Sequence, residues 1–232
     1  MNRIFKLGVI AGLFAVLYGC GGSGSGLINV PNPRVRFANL MPGIASAKAQ
    51  VGADVISSDI PFGTVSDYAI TPNGNKDLTV GDTTFSNLAT LADQLYEENT
   101  RYTGIAYGTA ARTILRLTQD DSQTGNGTVG IRVVNAAEGA AAMDMYITGT
   151  GDPLPGTESF NAVAVGTASD YSLVPMIGTN QYRLRVFADG DTSTALVDQV
   201  LTIEEQDRVT VIVYADPGQP SGFNALLIHE SL

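Results

Sequence analysis

Two short blocks, Ser66-Asp67-Tyr68 and Ser169-Asp170-Tyr171, each join a hydroxyl, a carboxylate and a phenol, groups from which a nucleophile and its base can be made. Such chemistry needs its groups to converge on one point, whereas neighbouring residues of a strand point to opposite faces. The blocks therefore read as strand entries, with Ser and Asp bonded to local backbone and Tyr packed with its hydroxyl tied to a neighbouring loop. His229 is the only histidine of the 232 residues and lies close to the C-terminus. A Ser-His-Asp triad or a histidine-based zinc site would hang on a chain end, so His229 is expected to be a surface residue beside the last strand. Asp189-Gly190-Asp191 and Asp120-Asp121 place carboxylates of the kind hard cations take. Neither has the full spaced acidic loop of a calcium hand, and a turn accounts for Asp189-Gly190. No phosphate-binding loop or dinucleotide fingerprint is present. With no tryptophan but nine tyrosines, an aromatic sugar platform would have to be built from other rings. The expectation is a non-enzymatic protein with no catalytic residue, metal ligand or cofactor.

One residue has a definite chemical setting. Cys20 is the only cysteine, so it cannot form an internal disulfide. Ahead of it stand a basic start with Arg3 and Lys6 and an apolar run from Leu7 to Leu17. That run is roughly half the ~20 residues needed to cross a bilayer as a helix, which fits a cleaved secretory signal better than a permanent span. Leu17-Tyr18-Gly19-Cys20 resembles the lipobox of bacterial lipoproteins. The resemblance implies a signal peptide over residues 1–19, removal of that peptide, and acylation of Cys20 as the lipid attachment site. Several acyl chains at ~0.8 kcal/mol per buried methylene give a stable membrane anchor. Gly21-Gly22-Ser23-Gly24-Ser25-Gly26 follows, so residues 20–33 read as a flexible tether. Gly21 after the cysteine resembles lipoproteins sent to the outer membrane, which gives the expected localisation as the bacterial cell envelope.

The elements that position these residues repeat. Arg36-Phe37-Ala38-Asn39 aligns with Arg132-Val133-Val134-Asn135, and at the same offset Gly43, Ala45 and Val51 meet Gly139, Ala141 and Ile147. Gly63 to Tyr68 aligns with Gly166 to Tyr171, Leu91 to Leu95 with Leu196 to Val200, and Ile105-Ala106-Tyr107 with Ile212-Val213-Tyr214. The offset grows at loops, notably Gly149 to Gly156, as duplication predicts. Met143, Met145 and Ile147 alternate with Asp144 and Tyr146, and Tyr182, Leu184 and Val186 alternate with Arg183 and Arg185, the period of half-buried strands. Val209 to Tyr214 is apolar on nearly both faces and should be central. Asn87 to Glu98 is the one helix candidate, and its match to a strand in the second unit argues against helix. The fold class is all-β: tandem immunoglobulin-like β-sandwiches of about seven strands each, over residues 34–118 and 130–232, with a polar linker over 119–129. Asn126-Gly127-Thr128 has the form of a glycosylation acceptor but reads as part of that linker. The formal net charge of −10 repels phosphate backbones and excludes nucleic acid as a natural partner.

The stretch from Val129 to about Val213 resembles the DUF4397 domain, a bacterial family of uncharacterised function found in exported proteins. The likeness rests on Arg132-Val133-Val134, Met143-Asp144-Met145-Tyr146, Val165-Gly166 and Asp170-Tyr171. The first unit reads as a more distant copy, keeping the Gly63 to Tyr68 block but carrying Lys48 and Gln50 where the second has Asp144 and Tyr146. Where the family commonly has a histidine after the opening strand, this chain has Asn39 and Asn135. The resemblance implies architecture rather than activity. The expected function is a lipid-anchored envelope module that binds or spaces envelope proteins or glycans, the alternative being a calcium- or small-ligand-binding lipoprotein.

Overall fold

The computed structural model describes residues 32–84, 86–119 and 122–230. The signal segment, Cys20, most of the tether, and Asp120 and Asp121 lie outside the described residues. Among the described residues there is no helix long and apolar enough to cross a membrane, and the secondary structure is strand throughout.

Eighteen strands fall into two sets of nine. The first holds β1 (Arg34–Leu40), β2 (Ser46–Val51), β3 (Asp54–Pro61), β4 (Thr64–Val65), β5 (Ala69–Ile70), β6 (Gly74–Gly81), β7 (Asn87–Tyr96), β8 (Arg101–Tyr107) and β9 (Thr113–Thr118). The second holds β10 (Thr128–Ala136), β11 (Met143–Gly149), β12 (Phe160–Val163), β13 (Thr167–Ala168), β14 (Ser172–Pro175), β15 (Gln181–Ala188), β16 (Val197–Thr202), β17 (Arg208–Ala215) and β18 (Phe223–His229). Both sets have one topology: sheets β4-β1-β8-β9 and β3-β2-β6-β7 in the first, β13-β10-β17-β18 and β12-β11-β15-β16 in the second. In each, the opening strand pairs in parallel with the penultimate one, β1 with β8 and β10 with β17. The former helix candidate is strand β7, and Val209 to Tyr214 is central in β17, flanked by β10 and β18.

One of the two strands beyond the expected seven in each unit has a local origin. Ser66 Oγ accepts from Phe37 N at 3.0 Å while Ser66 N donates to Phe37 O at 2.9 Å. A side-chain oxygen thus stands in for a backbone carbonyl, and the return strand leaves the ladder and rejoins it as β5. Ser169 does the same with Val133, splitting β13 from β14.

Alternation sends one side of every strand into a sandwich core. Phe37, Val51, Leu78, Tyr96 and Tyr102 are central to the first core, and Val133, Met143, Met145, Tyr182 and Val211 to the second. Asn39 and Asn135 are completely buried and act as clamps between the two sheets of their unit. Asn39 Nδ2 donates to Ile44 O and Ile60 O, both at 3.0 Å, and its Oδ1 accepts from Met41 N at 3.3 Å. Asn135 repeats this with Val163 O at 2.9 Å, Ala141 O at 3.4 Å and Ala137 N at 3.1 Å.

A third apolar cluster joins the units. Ala38, Leu40, Ile105, Tyr107 and Leu117 of the first pack against Val134, Ala136, Ile212, Tyr214 and Ile228 of the second. The four sheets therefore stack as successive layers, with the parallel-paired sheets back to back in the middle. The contact is reciprocal: a Cβ placed on Gly63 would lie 3.0 Å from Tyr214 Oη, and one on Gly166 2.7 Å from Tyr107 Oη. Aligned residues thus touch each other's counterparts, the signature of a pseudo-two-fold junction. The segment expected to be a linker is also engaged. Thr124 is buried and bonded to Gln206 O at 3.1 Å, and Arg208 Nε donates to Ser122 O at 2.9 Å.

Candidate functional site

At one end of the junction the apolar contact gives way to a charged cluster, where the aromatic members of the two Ser-Asp-Tyr blocks come together. Within each block the three groups diverge. Ser66 and Ser169 turn back to the backbone, donating to Asp67 O at 2.9 Å and Asp170 O at 2.8 Å. Asp67 and Asp170 are exposed. The tyrosines are not tied to a neighbouring loop, as expected from sequence, but lie beneath arginines. Arg36 stands 4.6 Å over the Tyr68 ring, and Arg132 and Arg208 stand 4.7 and 4.8 Å over Tyr171. The reason is positional: Tyr68 and Tyr171 follow the break in the return strand on the face turned to the other unit, where the arginines of β1 and β10 also project.

Each arginine reaches into the other unit's last strand as well as its own sheet. Arg36 Nε donates to Thr103 Oγ1 at 3.0 Å, and its terminal nitrogen donates to His229 O at 3.1 Å. Arg132 mirrors this, with Thr210 Oγ1 at 3.1 Å and Thr118 O at 3.1 Å. The symmetry breaks where β9 and β18 end. Gln119 follows one and Glu230 the other. Glu230 has a fully buried side chain, accepts from Arg132 at 2.8 Å, and also accepts from Thr210 Oγ1 and Tyr171 Oη. With its nitrogen turned towards Glu230, the Gln119 amide donates at 2.9 and 3.0 Å to the carboxylate oxygens and accepts from Thr103 Oγ1 at 2.6 Å. Burial, followed by the bond to Glu230, pushes the Tyr171 phenol well above its ordinary range. Burial also raises Tyr68 and lowers Arg36. A carboxylate held by an arginine, an amide, a hydroxyl and a phenol is a lock rather than a proton shuttle, because its lone pairs are already taken. Sequence reasoning missed Gln119 and Glu230. The usable signal was that both stand one residue beyond the last strand of their unit.

The other sequence candidates are dispersed. His229 ends β18, half exposed, with Nδ1 2.5 Å from Asp207 Oδ2. It is the surface residue expected beside the last strand, with an added carboxylate partner. Asp191 accepts from Ser193 N at 2.8 Å and Ser193 Oγ at 2.7 Å, bonds that lower its carboxyl below the usual range. Gly190 N donates not to its neighbours but to buried Asp144 at 2.9 Å, whose other oxygen accepts from Ala162 N at 2.8 Å. Asp189-Gly190-Asp191 is thus organised as a turn. Among the described residues no three His, Cys, Asp or Glu side chains gather as a metal site.

The surface of the described residues also carries depressions. A shallow one of about 460 Å³ is lined by Gly43, Ile44, Ala45, Pro61 and Phe62. A groove of about 360 Å³ runs between the edge strand β16 and the loop from β17 to β18, with Leu196, Asp198, Gln199, Gln219, Phe223 and Asn224 among its lining. Its outer wall is a self-supporting loop. Asp216 N donates to Gly222 O at 2.8 Å, and the Asp216 carboxylate accepts from Gly218 N at 2.9 Å and from Asn224 Nδ2 at 3.0 Å.

Residues 33–146 match the family described as "Domain of unknown function (DUF4397)". The match covers the first unit and ends within β11, whereas the sequence resemblance was strongest in the second. No curated protein matches the chain. Among solved structures, one described as "Alpha-glucan binding by a streptococcal virulence factor" superposes with a TM-score of 0.30 at 9% identity, over 78% of this chain and 93% of that one. Another, "Alpha-glucan recognition by family 41 carbohydrate-binding modules from streptococcal virulence factors", gives 0.28 at 12% identity, over 78% and 93%. Superpositions this loose have no bearing on function.

Proposed function

We propose that this chain is a lipid-anchored, non-enzymatic protein of the bacterial cell envelope, held at the outer membrane through Cys20 and serving as a binding or spacer module for envelope proteins or glycans. In this reading the second unit is a second copy of the domain matched over residues 33–146, and the Gly/Ser-rich tether lets the pair stand off the membrane. The observation that supports it most is the junction. Two sandwiches that share an apolar interface and a locked charge cluster make one stiff block, the mechanical property a spacer or a presenting platform needs. The repeated strand order supports duplication. The commitment of Ser66, Ser169, Asp191 and Glu230 to structural bonds supports a non-enzymatic role.

Palmitate labelling in the native host tests the anchor, with membrane uptake by the wild-type chain and none by Cys20→Ser as the expected result. Labelling that survives Cys20→Ser removes the anchor from the proposal. Retention of solubilised envelope proteins or cell-wall polymers on the immobilised chain tests the binding role; no retained component leaves the spacer role alone.

A further inference from the structure

We propose that the groove between β16 and the β17–β18 loop is a binding subsite for a neutral saccharide of one or two rings. This rests on the binding reading above and names its ligand class and place. The groove exists because the two units differ. In the first unit the loop after β8 is drawn onto the second unit, where Thr109 donates through N and, at 2.7 Å, through Oγ1 to Glu138. Glu138 occupies the second position of the turn from Ala137 to Ala140, and its counterpart in the turn from Met41 to Ile44 is Pro42. Proline offers no carboxylate, so the loop after β17 has no such hold and closes on itself through Asp216, standing out over the edge of β16.

The lining chemistry selects the ligand. Phe223 and Leu196 supply apolar surface against which the carbon face of a sugar ring can lie. Gln219 supplies an amide with a donor and an acceptor, which matches hydroxyls that do both, while Gln199 and Asn224, whose nitrogens already donate to Ala225 O at 3.3 Å and Asp216 at 3.0 Å, each keep a second N–H. The carboxylate is Asp198, already neutralised by Arg183 Nε and a terminal nitrogen at 2.7 and 2.6 Å. No Lys, Arg or His lines the groove, which disfavours a phosphate or an acidic sugar. At about 360 Å³ the space lies at the small end of ligand sites, fitting a short piece of a glycan. The wall is built before the ligand arrives, so little ordering cost attends binding.

Calorimetry of the full chain carrying Cys20→Ser, titrated with neutral disaccharides of glucose, galactose, mannose and N-acetylglucosamine, tests the proposal. At least one should bind. Phe223→Leu, which keeps apolar bulk but removes the ring, and Gln219→Ala, which removes an amide, should each weaken it about tenfold. Thr79→Ala, on the far sheet of the first unit, should not. Melting curves confirm that each variant is folded. Absence of binding by every disaccharide overturns the proposal, as does binding that neither groove variant alters, or a preference for an extended peptide along β16. If envelope extracts are still retained by Phe223→Leu as by wild type, the binding role stands and this groove is not its site.

Discussion

The two units of this chain share a topology strand for strand, and their differences gather where they touch. In the first, Gln119 follows the last strand; in the second, Glu230. Had both been glutamate, two carboxylates would face each other in a buried junction, and had both been glutamine, Arg36 and Arg132 would lack a counter-charge. One of each lets a single buried carboxylate serve both halves. Two units of one topology can thus meet in a near-symmetric contact whose fit is set by a single asymmetric pair. The second difference, Pro42 against Glu138, decides which loop is pinned across the junction and which stands free to wall a groove.

The largest expected effect is at the shared carboxylate. Glu230→Ala leaves buried Arg132 unpaired and should cost about 3–5 kcal/mol in denaturant unfolding, whereas Gln119→Ala removes one bond to a charged group and should cost about 2 kcal/mol. Equal losses would mean that the asymmetry has no energetic meaning. Next are the reciprocal glycines. Gly63 and Gly166 have φ of 76° and 78°, a conformation strained for other residues, and each faces a tyrosine hydroxyl of the opposite unit. Alanine at either should destabilise by about 1–3 kcal/mol, Gly166 more because its contact is closer. The reverse order, read from melting temperatures, would contradict the junction geometry.

How much of this was legible in sequence follows from the kind of force involved. Alternation in Met143 to Ile147 and Tyr182 to Val186 reports burial within one sheet, so the strands could be read directly. The break at Ser66 and Ser169 could not, because whether a serine hydroxyl replaces a carbonyl depends on the strand beside it. The junction was hidden for a related reason. Ala38, Leu40, Ile105 and Ile212 made strands apolar on both faces, but that pattern marks a covered sheet without naming its cover. The role of Arg36 and Arg132 depends on Glu230, which lies far along the chain and is brought against them only by the fold. The groove depends on a loop whose course is set by what Pro42 fails to offer.

A smaller effect separates the two cores. Tyr96 is buried beside Tyr102, their rings 5.1 Å apart, and burial raises its phenol to about 12. The aligned residue of the second unit is Leu201. Because the folded value lies above that of the unfolded chain, the stability associated with neutral Tyr96 is complete below pH ~10. It is lost as pH rises from there through about 12. Tyr96→Phe should flatten part of this alkaline decline in melting temperature, while Leu201→Met should leave its slope unchanged. An identical slope in Tyr96→Phe would remove Tyr96 as the source. The smallest effect expected is from calcium. With Asp191 engaged by Ser193, millimolar Ca²⁺ should leave the melting temperature where it was, and a rise would show a loop site that both units' turns conceal.

The claim on which the rest depends is that the two units form one body. Inserting a protease recognition sequence between Asp120 and Asp121 of the full chain and cutting it after folding gives the most direct measurement. Light scattering of the cut protein should return the mass of the intact chain, with one unfolding transition and dissociation promoted by Glu230→Ala. Two separate fragments of half the mass, each melting independently, would contradict it.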